Sequence, residues 1–238
     1  MVIPAYNEVN KIGSTLDQIT GFFKDSTINY EIIVVDDGST DNTLSVLKSY
    51  KDSISNLKVI ENVQNKGKGY SVKRGILISK GRYVLFFAAD LSIPLDEIWN
   101  LLNYIKEGYD IIIGSKWLPK SYVKYSRHNW LIRLLASFLF KLIVKLLVHG
   151  ISDTQCGFKC FKGEVASNLF SNQRLIGFSF DVEILYLAQK YGYKIKEFPV
   201  RCIYPTDSKV KVSRDSLVMF LDLFRIKIND WLRRYNQK

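Results

Sequence analysis

The first 115 residues alternate between β-branched apolar runs and segments of helical period, and this alternation leaves few folds open. After Pro4, residues Ile12, Leu16 and Ile19 recur at helical spacing, and "EIIVVDDG" follows as a strand. "STDNTLSVLKSY" opens on capping residues and carries Leu44 and Leu47 on one face, before the short strand "LKVIEN". "GKGYSVKRGILISKG" reads as a helix ending at Gly81, and "RYVLFFAAD" as a strand. "IPLDEIWNLLNYIKEG" reads as a helix with Pro94 near its start and Gly108 after its end, and "YDIIIGS" closes the series. Such alternation gives a largely parallel sheet with right-handed crossovers, and strands covered on both faces explain the unbroken apolar runs.

Open α/β sheets hold ligands beyond the carboxyl ends of their strands. That rule gathers "PAYNE", "DDGSTD", "AADLS" and "GSK" at one rim. Each alone is an ordinary turn or helix cap, but their coincidence at one edge makes a candidate site. Asp90 ends the run V-L-F-F-A-A, and Ala88 stands where a cation site would offer a second carboxylate. Lys68 lies between Gly67 and Gly69, which permit close backbone approach while the lysine offers a mobile charge for phosphate. The spacing is not that of a Walker A loop, and no G-x-G-x-x-G follows the first strand. A P-loop triphosphatase is therefore a poor reading, and a dinucleotide oxidoreductase fails.

The chain has 238 residues, of which 47% are hydrophobic, enough for a substantial core in one domain. Its formal charge of +11 calls for an anionic partner. No nucleic-acid motif is present, so phosphate-bearing substrates or an acidic membrane surface are expected instead. Cys156, Cys160 and Cys202 are odd in number and lack a histidine cluster, which points to a reducing compartment without a disulfide framework or zinc site. The opening "MVIPAYNE" reads as a strand end and its turn, with no signal peptide.

The segment "NWLIRLLASFLFKLIVKLLVHG" predicts an apolar, basic helix over about residues 129–149. Its apolar residues favour insertion by roughly 4–9 kcal/mol in total, while Arg133, Lys141 and Lys145 each cost about 2.5–3.5 kcal/mol, so spanning at best breaks even. Arg133, Ser137, Lys141 and Lys145 form a narrow polar stripe. A helix of that kind suits a membrane interface, or packing against the sheet with one wet edge. Lys116, Lys120, Lys124, Arg127, His128 and Arg133 make a basic cluster at its start, which would meet a lipid phosphate.

In "VIPAYNE", "IIVVDDGSTDNT", "NKGKGYSVKRG", "FFAADLSIP", "GSK", "DTQCGFKCF" and "FSFDVEIL" the chain resembles the family 2 inverting glycosyltransferases, from Val2 to about Ile226. The nearest likeness within them is to dolichyl-phosphate β-glucosyltransferases and polyprenyl-phosphate relatives. The resemblance implies a GT-A type α/β fold of three layers, a mostly parallel central sheet flanked by helices. Residues 1–115 would form the nucleotide-sugar half and residues 116–238 the acceptor half.

The same resemblance implies that Pro4, Tyr6, Glu8, Asp36, Asp37, Lys68, Ala89 and Asp90 line the donor, with UDP-glucose favoured over GDP-mannose. It implies that Lys116, Arg127 and Arg133 meet a polyprenyl or dolichyl phosphate. Asp153 matches the proposed catalytic acid, and it serves as orienter if the acceptor phosphate is already ionised. The D-x-D motif falls on Ala88, Ala89 and Asp90, so Mg2+ or Mn2+ would rest on Asp90 and Ser92 with help from substrate phosphates. Two explanations of Ala88 stay open: a metal completed by the diphosphate, or a disabled site that binds donor without turnover. Asp181 and Glu183 are expected to be structural, with partners such as Arg201 or Lys159. The expected setting is peripheral, on the cytoplasmic face of a membrane, with the chain itself soluble.

Overall fold

The computed structural model describes residues 1–124, 144–203 and 212–235 of the chain. Its first part follows the alternation read from the sequence: β1 (Val2–Ala5), α1 (Ile12–Phe23), β2 (Ile32–Asp36), α2 (Thr43–Lys51), β3 (Leu57–Glu61), α3 (Lys68–Ile78), β4 (Tyr83–Phe87), α4 (Glu97–Lys106) and β5 (Ile111–Ser115). β6 (Tyr122–Lys124), β7 (Phe158–Lys162), α5 (Gly163–Asn172), α6 (Phe180–Lys190), β8 (Ile195–Pro199), β9 (Arg201–Ile203) and α7 (Val212–Trp231) complete it. Two helices are shorter than the sequence suggests. α3 stops at Ile78 because Ser79 turns extended and its hydroxyl bonds to the Ile76 carbonyl at 2.7 Å. α4 begins at Glu97, after a turn in which the Pro94 carbonyl accepts the Glu97 N–H.

Seven strands form the main sheet in the order β3-β2-β1-β4-β7-β5-β8, and β6 pairs with β9 apart from it. β1, β2, β3 and β4 run parallel, as do β5 and β8. β7 is antiparallel to both β4 and β5, which the alternation did not foretell. The reason lies in where it starts. Phe158 pairs with Phe87 at the carboxyl end of β4, so the chain enters β7 from the functional rim and runs back through the sheet. The loop "DTQCG" is thereby delivered to that rim.

Alternating side chains serve two cores, giving three layers. Val2, Ile33, Val35 and Phe86 pack with buried residues of α3, α5, α6 and α7. On the other face Ile3, Val34, Leu85 and Ile112 pack with α1, α2 and α4. The two faces are therefore both covered, as the unbroken apolar runs require.

Candidate active site

β1 and β2 end side by side, with Ala5 in register with Asp36. Past them the chain folds back on itself through a polar network. The Asn7 side-chain carbonyl accepts the Thr40 N–H at 2.8 Å, and the Glu8 N–H donates to the Thr43 hydroxyl at 2.8 Å. Asn7 holds a left-handed backbone at φ 54°, a conformation asparagine tolerates. Tyr6 stands exposed at this rim, and Pro4 is half-buried within β1.

Asp36, the last residue of β2, and Asp37 just after it both organise loops. Asp36 accepts the Ser39 N–H at 3.1 Å and the Ser39 hydroxyl. Asp37 receives the Gly67 N–H on one oxygen at 2.8 Å, and on the other the Lys66 N–H at 3.0 Å and the Asn62 side-chain amide at 2.7 Å. Asp37, which the resemblance places among the donor-lining residues, thus fixes the turn that presents Lys68. Gly67 adopts φ +103°, and a Cβ there would meet the Ile176 carbonyl oxygen at 2.6 Å, so only glycine fits. Gly69 is pressed as closely against Phe180 and Gly177.

Lys68 occupies the centre of the site. Its ammonium lies 6.0 Å from the centroid of the Phe86 ring and 5.9 Å from that of Phe180. Burial holds its pKa below the ordinary lysine value, Asp181 and Asp90 oppose that shift, and Lys159 and Lys116 add to it. A Cβ placed on Gly157 would sit 3.7 Å from the Lys68 ammonium and 4.0 Å from the Ala88 methyl. The loop before β7, the end of β4 and the start of α3 therefore converge on one point. Ala88, where the resemblance expects the first acid of a D-x-D motif, thus lies near the same point as this lysine.

Asp90 accepts the Ser92 N–H at 3.0 Å, and Leu91 between them takes φ 47°, an uncommon conformation for a bulky residue. The Ala89 carbonyl is held by the Thr15 hydroxyl at 2.6 Å, and the Ser92 carbonyl by the Ile203 N–H at 2.8 Å. The loop bearing Asp90 is thus tied on both sides. For a divalent cation the donor set is one carboxylate, one oxygen of which already has a partner. Among the described residues no three acids, cysteines or histidines gather as a metal-binding group. Magnesium often makes do with one carboxylate, substrate phosphates and waters, so the residues fit an ion that arrives with a diphosphate.

On the acceptor side Asp153 is buried, and Lys116 closes on it twice, with its backbone N–H and its ammonium each 3.0 Å from Oδ2. Glu197 accepts the Ser152 and Asp153 N–H groups at 2.8 and 2.9 Å, which fixes the loop. Lys116 and Asp153, singled out separately in the sequence, form one ion pair. Arg127, Arg133 and most of the expected helix over 129–149 lie outside the described residues.

Beneath the site Lys159 pairs with Asp181, both shut off from solvent, and the lysine also donates to the Cys156 carbonyl at 2.6 Å. One of the two partners expected for the buried acids is thus correct. Arg201 instead binds Asp96 and Glu97, because β9 lies over the start of α4. Glu183 caps the Arg174 and Leu175 N–H groups and accepts the Tyr235 hydroxyl at 2.6 Å. Sequence reading missed Gly157 and Asn62. Only its place between Cys156 and Phe158, just before β7, hinted at the first, and nothing marked the second. The cysteines are buried, and burial pushes the thiols of Cys156 and Cys160 up to about 11 and about 12, so neither is a nucleophile at neutral pH.

The glycosyl transferase family 2 domain model matches residues 1–170. A dolichyl-phosphate β-glucosyltransferase of Dictyostelium discoideum is 36% identical over 95% of this chain and 73% of its own length. In fold the chain is similar to mannosyl-3-phosphoglycerate synthase from Rubrobacter xylanophilus (TM-score 0.72, 17% identity, covering 98% of this chain and 74% of that one). It is also similar to glucosyl-3-phosphoglycerate synthase from Mycobacterium tuberculosis, solved with Mn2+, UDP-glucose and phosphoglyceric acid (TM-score 0.68, 18% identity, covering 94% and 78%). By the extent of the domain match and the identity to that relative, the chain belongs to glycosyl transferase family 2.

Proposed function

We propose that this glycosyltransferase moves glucose from UDP-glucose, with inversion, to the phosphate of a dolichyl or polyprenyl lipid. The observation that carries the reading is the approach of Lys68 and Ala88 to Gly157 in the loop that follows Asp153, which supports donor and acceptor sharing one site. The Dictyostelium relative bears the name of that activity over nearly all of this chain.

In the proposed reaction an acceptor phosphate oxygen attacks the anomeric carbon while the bond from that carbon to the diphosphate oxygen breaks, and UDP leaves. Positive charge builds on the sugar and negative charge on the leaving phosphates. Lys68 faces the latter with a fixed ammonium in a site partly cleared of water, where a charge acts more strongly than in bulk. Asp90 and Ser92 would hold Mg2+ or Mn2+ against the diphosphate, where the ion offsets the leaving charge. A phosphate monoester with a second pKa of about 6 is already largely ionised at neutral pH and needs no base. Asp153 therefore orients, holding Lys116 toward the acceptor.

No helix among the described residues is long and apolar enough to cross a membrane. A peripheral seat on the cytoplasmic face accords with the net charge of +11 and with three unbridged cysteines.

The test is to incubate the protein with labelled UDP-glucose or GDP-mannose, a polyprenyl phosphate and Mg2+ or Mn2+, and to follow label into the organic phase. Transfer from UDP-glucose is expected. Transfer from GDP-mannose alone would correct the donor, and donor binding without transfer would favour the second reading, a nucleotide-sugar-binding pseudo-enzyme, whose supporting observation is Ala88. Full transfer by Asp153→Asn would rule out a base role for that residue.

A further inference from the structure

α7 has an apolar face on each side, which a helix at the surface of a soluble protein normally lacks. Its inner face, with Leu223 and Ile226, packs into the core beside α6. Its outer face carries Leu217, Phe220, Leu221, Phe224, Ile228 and Trp231 at helical spacing, and all six are exposed, Leu217 to 62% and Trp231 to 82%. A contiguous apolar stripe of this kind marks an interaction surface.

The charges around the stripe identify what covers it. Arg225 lies on one flank and Lys227 on the other, with Arg233 and Arg234 just beyond the helix, and all four are exposed. Both acids of the described helix face are turned away. Asp222 is buried and paired with Arg225, and Asp230 is held by Lys190 and by the Tyr186 hydroxyl at 2.6 Å. From Leu217 to Arg234 the charges offered to the outside are cationic. Beside α7 a groove of about 810 Å³ is lined by Arg174, Arg225 and Arg234 together with Ile176, Val218 and Ile228, and its one acid, Asp222, is paired with Arg225. Cations beside apolar side chains match the boundary between the headgroups and acyl chains of an anionic bilayer.

We infer that the outer face of α7 is a docking surface for an anionic membrane, on which the helix lies in the interfacial plane without crossing it. The inference rests on the lipid-phosphate reading and adds to it the face that meets the lipid. The helix is well placed for this. Its Met219 carbonyl lies 3.5 Å from the Ser179 hydroxyl, next to Phe180, whose ring faces Lys68. Docking α7 would bring a lipid phosphate to the side of the cleft where the donor diphosphate is held.

Sedimentation with vesicles tests this on the full chain. The probes are vesicles of phosphatidylcholine alone and of phosphatidylcholine mixed with phosphatidylglycerol. Wild-type protein is expected to bind the mixed vesicles at least about tenfold more strongly than the neutral ones, and less strongly as salt rises. The double variant Leu221→Glu/Phe224→Glu is expected to lose at least about tenfold in that binding while keeping its circular dichroism and UDP affinity. Leu77→Glu, at an exposed apolar residue of α3, is expected to bind as wild type does. Unchanged vesicle binding by the double variant would overturn the inference, as would a wild-type dimer that the double variant splits, which would make the occupant a second copy. Transfer to a short-chain, water-soluble polyprenyl phosphate separates the two ideas. If it persists while vesicle binding proves independent of α7, the docking face fails and the proposed function stands. If it is absent while α7-dependent binding holds, the reverse is true.

Discussion

On one side of the sheet, β2 is apolar and buried at every position until Asp36, its last residue, and its polar groups appear only at the rim. On the other side β7 carries Lys159 as its second residue, wholly buried and answered by Asp181 of α6. The first half of the sheet separates stability from chemistry: the strands hold the fold and the loops hold the ligand. The second half mixes them, since the ion pair that fills the core also lies within electrostatic reach of Lys68. Substitutions in the two halves should therefore fail in different ways.

The largest effect is expected at that ion pair. Lys159→Met leaves a buried carboxylate without its partner and should cost about 3–5 kcal/mol of stability, and Asp181→Leu should do the same in reverse. For a domain of this size that lowers Tm by roughly 10 °C, measurable by calorimetry. The double variant Lys159→Met/Asp181→Leu should recover most of the loss. If it also recovers full transfer, the pair is structural alone, and the contrast between the halves narrows to packing.

Next comes Lys68, where function should fall without stability. Lys68→Met is expected to weaken UDP binding tenfold or more, about the value of a charge-assisted contact at 1.5–3 kcal/mol, with Tm held or raised because a buried charge is gone. The pH dependence gives the sign. Only the ammonium binds phosphate, and burial lowers its pKa, so UDP affinity should begin to fall at a lower pH than for an ordinary lysine. In Lys68→Met that slope should vanish from a calorimetric titration.

A smaller loss, about 1–3 kcal/mol, is expected for Gly69→Ala. Its Cβ would stand 2.7 Å from the Phe180 Cβ and 2.8 Å from the Gly177 carbonyl oxygen, forcing α3 away from α6. Thermal melts would register the strain, and UDP titration the displacement of Lys68. Smallest in its effect on the fold is Ala88→Asp, which adds a second carboxylate at the half-buried rim. It should raise affinity for Mn2+ about tenfold and increase turnover. Rates unchanged across a metal titration would count against a metal role for a carboxylate at this position.

How far the sequence revealed all this follows the same division. β1 to β5 and their helices were readable because each strand is a short β-branched run and each helix keeps one apolar face. The rim motifs followed from strand order alone. β7 was not readable as an antiparallel insert: the lysines of "FKCFK" read as solvent-facing, yet Lys159 points into the core because Asp181 waits there from 22 residues further on. Asp37 and Asp153 were found as acids, but their partners, the Gly67 turn and Lys116, come from distant segments that only the fold brings together. The outward apolar stripe of α7 escaped for a related reason. An apolar helix reads as buried until neighbours are placed around it.

The most direct measurement is a crystal structure of the protein with UDP and Mn2+. The expected result places the diphosphate between Lys68 and Asp90, under Ala88 and Gly157, with Asp153 and Lys116 open to the same cleft. A nucleotide seated elsewhere, at the amino ends of the strands or away from Lys68, would contradict a single cleft shared by the two halves.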